Sequence, residues 1–260
     1  MGKQKKHWTE EMFVEKSDLW LYLMDLGWKN APRIARQIRK VLKKYRITKG
    51  RILEIGCGNG RITTNLAKLG FNTVGVDISP VYIEDAKKKA ARLGVTPRFL
   101  QGDIRKIDRL VRGKFDVVIS IWTSLGYYDQ RTDQALFKKV AGLLKKKGVF
   151  LILVTMSRER LLDIFNERIF QDNDRFVVLD EHVIEWARSI THNKWVFYRK
   201  KGKDLMYEDE ITFTLHIYSI PEYVDMAESA GMALKDAFHS ILTLEPTRSY
   251  SPANLVFQKK

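Results

Sequence analysis

Carboxylates set beside glycines, and a run of hydroxyl and aromatic side chains, are the residues of this chain able to do chemistry. Arg51 to Gly60 reads RILEIGCGNG, a short apolar run that stops at Gly56, Gly58 and Gly60, where bare backbone leaves room for a ligand. The RITTNLAKL that follows has helical spacing. The stretch therefore predicts a strand, a tight turn and a helix whose N-terminus faces the ligand. Glu54 lies in the strand end, Asp77 closes the next apolar run, NTVGVD, and Asp103 closes RFLQGD. An acid at the second of these places is positioned to grip ribose hydroxyls, so a nucleotide-like cofactor is expected. Further along, the segment 120–129, SIWTSLGYYD, offers Trp122, Thr123, Ser124, Tyr127 and Tyr128 at the end of another predicted strand. Its aromatic rings are able to stack on a base or a sulfonium face, or simply to pack the loop onto the core.

Cys57 is the only cysteine and sits between two of the turn glycines, which suits a small packed residue better than a nucleophile. His182, His192 and His216 lack metal-ligand spacing and read as ordinary polar strand residues; no metal is expected.

The acid followed by x-G-x-G-x-G, with acids closing the next two strands, resembles the class I S-adenosylmethionine (SAM) dependent methyltransferases. A nicotinamide dehydrogenase would more often carry G-x-G-x-x-G, and Arg61 stands where its third glycine would fall. The resemblance implies that Glu54, Gly56, Gly58 and Gly60 line the methionine end, that Asp77 holds the ribose, and that Asp103 with Ile104 meets the adenine. Cys57, Ile78 and Ser120 complete the implied cofactor set. It also implies that the methyl acceptor lies against 120–129, with Trp122, Thr123, Ser124 and Tyr127 as the catalytic candidates. Enzymes of this class that methylate exocyclic amines of bases often carry Asn or Asp, then Pro-Pro-Tyr or Phe, at that place. This chain departs from that pattern, and its Thr-Ser-x-Gly-Tyr run is similar to a group that includes small-molecule enzymes.

The elements that must position these residues follow from periodicity. Strands at 51–55, 72–76, 97–101, 115–121 and 148–154 alternate with helices at 61–69, 80–93, 106–111 and 131–145, which predicts a doubly wound α/β sheet with ligand chemistry at its carboxyl edge. The class I resemblance extends this to a mostly parallel seven-stranded sheet with an antiparallel last strand at 254–258. Before the core, helices are expected at 9–24, with Thr9 as N-cap, and at 31–45. Inside the core, 158–168 reads as helix. Then 175–179, 183–186, 194–199 and 210–218 read as antiparallel strands of an inset sheet, with turns at 172–174 and 201–203. The expected organisation is a basic helical extension (1–48), a SAM-binding core (49–156), a substrate-covering β region (157–218) and the C-terminal part of the core (219–260).

The 260 residues suffice for one core with an inset, no apolar run spans a bilayer, and MGKQKKH has no apolar leader, so a cytoplasmic protein is expected. The net charge is +15, and residues 1–50 hold 13 Lys and Arg against 5 Asp and Glu. An anionic partner or a thermophile-like surface would each account for that balance. The stretch 194–203 mixes five basic residues with Trp195, Phe197 and Tyr198, a composition shared by nucleic-acid grooves and by lysine-protected edge hairpins. The sequence thus favours structured RNA as substrate, held by Trp20, Trp28, Tyr128, Lys194, Trp195, Tyr198, Arg199 and Lys200. A base nitrogen of ribosomal RNA is the leading acceptor and archaeal cytidine N4 the specific case. The alternatives are a small-molecule N- or O-methyltransferase and a non-catalytic RNA-binding assembly factor.

Overall fold

The glycine turn is reached through a helical extension whose aromatic side chains need cover. In the computed structural model, which describes residues 6–248 and 251–260, that extension opens with α1 (Trp8–Glu10). A π-helical turn at Glu11–Glu15 leads into α2 (Ser17–Leu26), and a 3-10 turn at Trp28–Asn30 leads into α3 (Ala31–Lys44). The expectation for the terminal MGKQK falls on residues 1–5, outside the described residues. Thr9 was expected as the N-cap of one long helix. Instead His7 caps α1 by accepting from the Thr9 N–H, and the π turn divides the helix, burying Met12. In α3, Ile34, Ile38, Val41 and Leu42 are buried against the sheet, while Arg33, Arg36, Lys40, Lys43 and Lys44 are exposed. This is the pattern of a bracing amphipathic helix.

The core runs β1 (Arg51–Ile55), α4 (Arg61–Lys68), β2 (Asn72–Asp77), α5 (Pro80–Arg92), β3 (Arg98–Gln101), α6 (Ile107–Leu110), β4 (Phe115–Ile121), α7 (Gln130–Leu143) and β5 (Leu144–Thr155). After α8 (Arg158–Ile164) come β6 (Arg168–Asp172), β7 (Phe176–Glu185), β8 (Ile190–Lys201) and β9 (Asp204–His216). The chain then returns through α9 (Ile220–Ser229), β10 (Met232–Ala237) and β11 (Ala253–Lys259). The main sheet is seven-stranded in the order β10-β11-β5-β4-β1-β2-β3, with β11 antiparallel to both neighbours. Because side chains alternate along a strand, Ile52, Val117 and Leu151 pack one face against α3 and α4, while Leu53, Val118 and Phe150 pack the other against α7 and α9.

The inset is a four-stranded antiparallel sheet, β6-β7-β8-β9. Its apolar face (Phe176, Val178, Phe197, Ile211 and Phe213) packs on Met12, Phe13 and Trp20 of the extension. The sequence reading broke this region too often: β7 is one continuous strand where two were expected, because the polar residues at 180–182 are absorbed within it. The helix expected at 158–168 ends at Ile164, and β6 fills a stretch where no element was expected before the turn at 172–174. Among the described residues no helix is long and apolar enough to cross a membrane.

Candidate functional site

The three expected cofactor acids converge at the carboxyl edge of the sheet. Gly56 and Gly58 adopt φ values of +66° and +52°, and a Cβ on Gly58 would stand 2.6 Å from Met24 Sδ, so the turn requires glycine there. The Gly58 N–H donates to Asp77 Oδ2 at 2.8 Å and the Ser79 N–H to Oδ1 at 3.0 Å. Asp77 thereby locks the turn to the end of β2 and keeps lone pairs for a ligand. Burial raises its carboxyl above the ordinary range against the pull of these N–H donors. Glu54 accepts the Thr63 N–H at 2.8 Å and the Thr63 hydroxyl, and burial pushes it up to about 7. Asp103 is held by Arg105, whose Nε donates at 2.8 Å; burial opposes that bond, and the net effect is a lowered carboxyl.

A cavity of about 580 Å³ lies over this edge, within the size range of small-ligand sites. Glu54, Gly56, Cys57, Gly58, Asp77, Ile78, Asp103 and Ile104 line it, as do Trp122, Thr123, Ser124, Tyr127, Tyr128, Trp20 and Trp195. Of the expected cofactor and extension positions, Gly60, Ser120 and Trp28 fall elsewhere. Gly60, the N-cap of α4, fits closely against α5 and β3, since a Cβ there would meet Ala86 and the Phe99 ring at 2.7 Å. Ser120 is buried in β4 beside Ile55 and Ile152. Trp28 lies under the Lys89 ammonium, 5.4 Å from its ring centroid. Cys57, though at the cavity wall, is a buried thiol that desolvation pushes well up, which suits packing rather than attack.

The basic residues of the inset point away. Alternation along β8 sends Thr191, Asn193 and Trp195 into the cavity and turns Lys194 outward, where it pairs with Glu210 at 3.0 Å. Arg199 is engaged by Glu208 (Nε to Oε2, 2.7 Å), Lys200 pairs with Asp172, and Tyr198 meets Tyr207 edge-on. None of Lys194, Tyr198, Arg199 or Lys200 lines the cavity. Composition alone had grouped them with Trp195; the strand period separates Lys194, Tyr198 and Lys200 from it, and Arg199, on Trp195's side, stands over Phe176 outside the cavity wall.

Two features escaped the sequence reading. Arg61, noted there only as not being glycine, stacks its guanidinium 3.6 Å from the centroid of Trp122, with its Nε buried and unpartnered. Burial pushes it down to about 10, opposed by Glu54 and Asp25, so it stays cationic. Among the described residues it is the sole Lys or Arg in the cavity wall. Trp122 holds φ +60°, an uncommon state for a bulky residue, fixed by its N–H donating to Leu153 O at 2.9 Å and its carbonyl accepting from Thr155 at 2.7 Å. The second is Asp180 with His182: both line the cavity and both are 8% exposed. Among the described residues no group of His, Cys, Asp and Glu is placed to hold a metal.

Residues 52–148 match the family model described as a methyltransferase domain. A SAM-dependent methyltransferase from Clostridium acetobutylicum superposes with a TM-score of 0.75 at 19% identity, over 87% of this chain and 91% of its own. A Geobacillus sp. protein, named as a methyltransferase with no substrate, is 31% identical over 221 residues, 82% of this chain and 87% of its own. The chain belongs to the class I SAM-dependent methyltransferases. Another methyltransferase of this fold, SAM-bound CalS10 from Micromonospora echinaspora, an amino pentose enzyme, superposes with a TM-score of 0.68 at 18% identity, over 90% of this chain and 92% of that one.

The wall of this methyltransferase fits the cofactor: bare backbone at Gly56 and Gly58, free lone pairs on Asp77, and the buried Tyr82 hydroxyl, Trp20 Nε1 and Arg61 Nε, all without protein partners. SAM, when bound, supplies an electrophilic methyl on a sulfonium sulfur.

Proposed function

We propose that this methyltransferase acts on a small, mainly apolar molecule that it encloses beneath the inset sheet. The single observation carrying this reading is the composition of the cavity wall. Beyond the cofactor edge the wall is built from Met12, Phe13, Trp20, Met156, Leu161 and Phe213, and its one guanidinium is covered by Trp122. A flipped RNA base would need phosphate contacts around the mouth, and the basic residues expected to supply them lie outside the cavity wall, paired with Glu210, Glu208 and Asp172. Within the site, Asp77 is assigned to ribose hydroxyls, Asp103 and Ile104 to the adenine, and Gly56 and Gly58 to the methionine end. Tyr127 and Trp122 border the acceptor, and closure by the extension and the inset excludes water and aligns the acceptor lone pair.

The test is transfer of labelled methyl from SAM to a whole-cell extract of the source organism, with and without ribonuclease. Label in material that passes a small-pore filter and survives ribonuclease is expected. Label confined to ribonuclease-sensitive polymer would overturn the reading in favour of RNA.

A further inference from the structure

The roof of the cavity carries a buried polar pair that cofactor binding does not use. Asp180 and His182 stand two residues apart on β7, so both project to the same face. Nδ1 of His182 is 3.2 Å from Asp180 Oδ1, and the Trp195 indole N–H lies on the same carboxylate. With its proton on Nδ1, the imidazole keeps an unshared pair on Nε2, which takes no hydrogen bond among the described residues. Directly across the ladder is Asn193, whose amide N–H₂ is spent on Thr191 Oγ1 at 3.0 Å and on the Phe213 carbonyl at 3.3 Å. The roof therefore presents a tethered imidazole base, with Thr191 and Asn193 beside it and the aromatic side chains around them.

Resting on the small-molecule reading above, we propose that His182 is the base that takes the proton of a hydroxyl acceptor, positioned by Asp180, and that the acceptor is a compact phenol-type hydroxyl compound. The acceptor oxygen gives a lone pair to the methyl carbon as that carbon's bond to sulfur breaks with both electrons left on sulfur. The O–H proton passes to Nε2 of His182, leaving an imidazolium beside the Asp180 carboxylate and a neutral ether. A carboxylate acceptor would want a cation, and Arg61 is engaged with Trp122. The aromatic wall of Phe13, Trp20, Trp195 and Phe213 suits a flat ring.

A second cavity of about 860 Å³ adjoins the first and shares His182, Asn193 and Phe213 with it. Through it His182 shares a wall with Lys6, His7 and Glu11 of the extension and with Glu167, Arg168, Glu181, His192 and Lys194 of the inset. Arg168 pairs with Glu181 and Lys194 with Glu210, so Asp180 is the charge in direct contact with the imidazole.

The probe is 4-nitrophenol, whose phenolate absorbs in the visible, titrated into the full chain loaded with S-adenosylhomocysteine between pH 5 and 8. Bound probe is expected to ionise about one pH unit lower than free probe, a tenfold change. His182→Gln should return it to the free value with S-adenosylhomocysteine affinity unchanged by calorimetry, and Asp180→Asn should shrink the shift. An unshifted titration in the wild type, the same shift in His182→Gln, or no binding of the probe would overturn the role of His182. If His182→Gln loses the folded state, the Asp180→Asn result decides: an undiminished shift overturns the proposal. None of these outcomes touches the small-molecule reading, which stands or falls on where the labelled methyl goes.

Discussion

Trp20 and Trp195 lie face to face, ring centroids 4.7 Å apart and planes 22° from parallel. One ring comes from the N-terminal extension and the other from the inset, so their stack is where the two covers of the cofactor edge meet. Such a pair is worth about 0.5–1.5 kcal/mol beyond its burial. A double-mutant cycle of Trp20→Ala and Trp195→Ala should give a coupling energy of about 1 kcal/mol in denaturant unfolding. Additive losses would mean that the covers close independently.

Asp77 both braces the glycine turn and offers its remaining lone pairs to the cofactor. Asp77→Ala should weaken SAM binding by about 10- to 100-fold, the scale of one or two hydrogen bonds to a charged group. Calorimetry reads this directly, and an unchanged dissociation constant would contradict the cofactor placement.

Gly58→Ala places a side chain at φ +52° and against Met24 Sδ. The left-handed conformation alone should cost about 1–2 kcal/mol of stability. Pairing it with Met24→Ala should recover the steric part and leave the backbone part, as measured by thermal unfolding.

Glu54 is buried with its carboxyl pushed up to about 7. The folded state thus holds this proton more tightly than the unfolded chain. The stability it contributes is full below the unfolded carboxylate range and is lost as pH rises through about 7. Glu54→Gln cannot titrate, so wild type should lose stability relative to that variant between about pH 5 and 8. Parallel melting-temperature curves for the two proteins over that range would argue against the assignment.

The cofactor half of the site was legible because its signals are local. The glycine turn and the acids at 54, 77 and 103 each depend on one strand end, and the alternation of strand and helix orders the core without knowledge of distant contacts. The acceptor half depends on contacts between segments far apart in sequence. Asp180 to His182 reads as a gap between two short strands and His182 as an ordinary polar strand residue, until the fold sets its imidazole on Asp180 and opposite Asn193 across the ladder. Lys194 and Trp195 are adjacent in sequence but on opposite faces of the inset. The basic-aromatic mixture there described two surfaces rather than one groove. Arg61 was legible as a residue but not as a neighbour of Trp122, because that stack requires the fold of α4 against the loop after β4.

On the proposed function, the enclosed cavity rather than the basic surface selects the acceptor. The most direct measurement compares two variants in methyl transfer to filtered, ribonuclease-treated extract: Trp195→Ala, which opens the cavity, and the triple charge reversal of Lys200, Lys201 and Lys203. The account predicts a drop of about tenfold or more for Trp195→Ala, as expected for losing an aromatic anchor, and little change for the charge reversal. Loss of transfer in the charge-reversed protein, with Trp195→Ala unaffected, would contradict it.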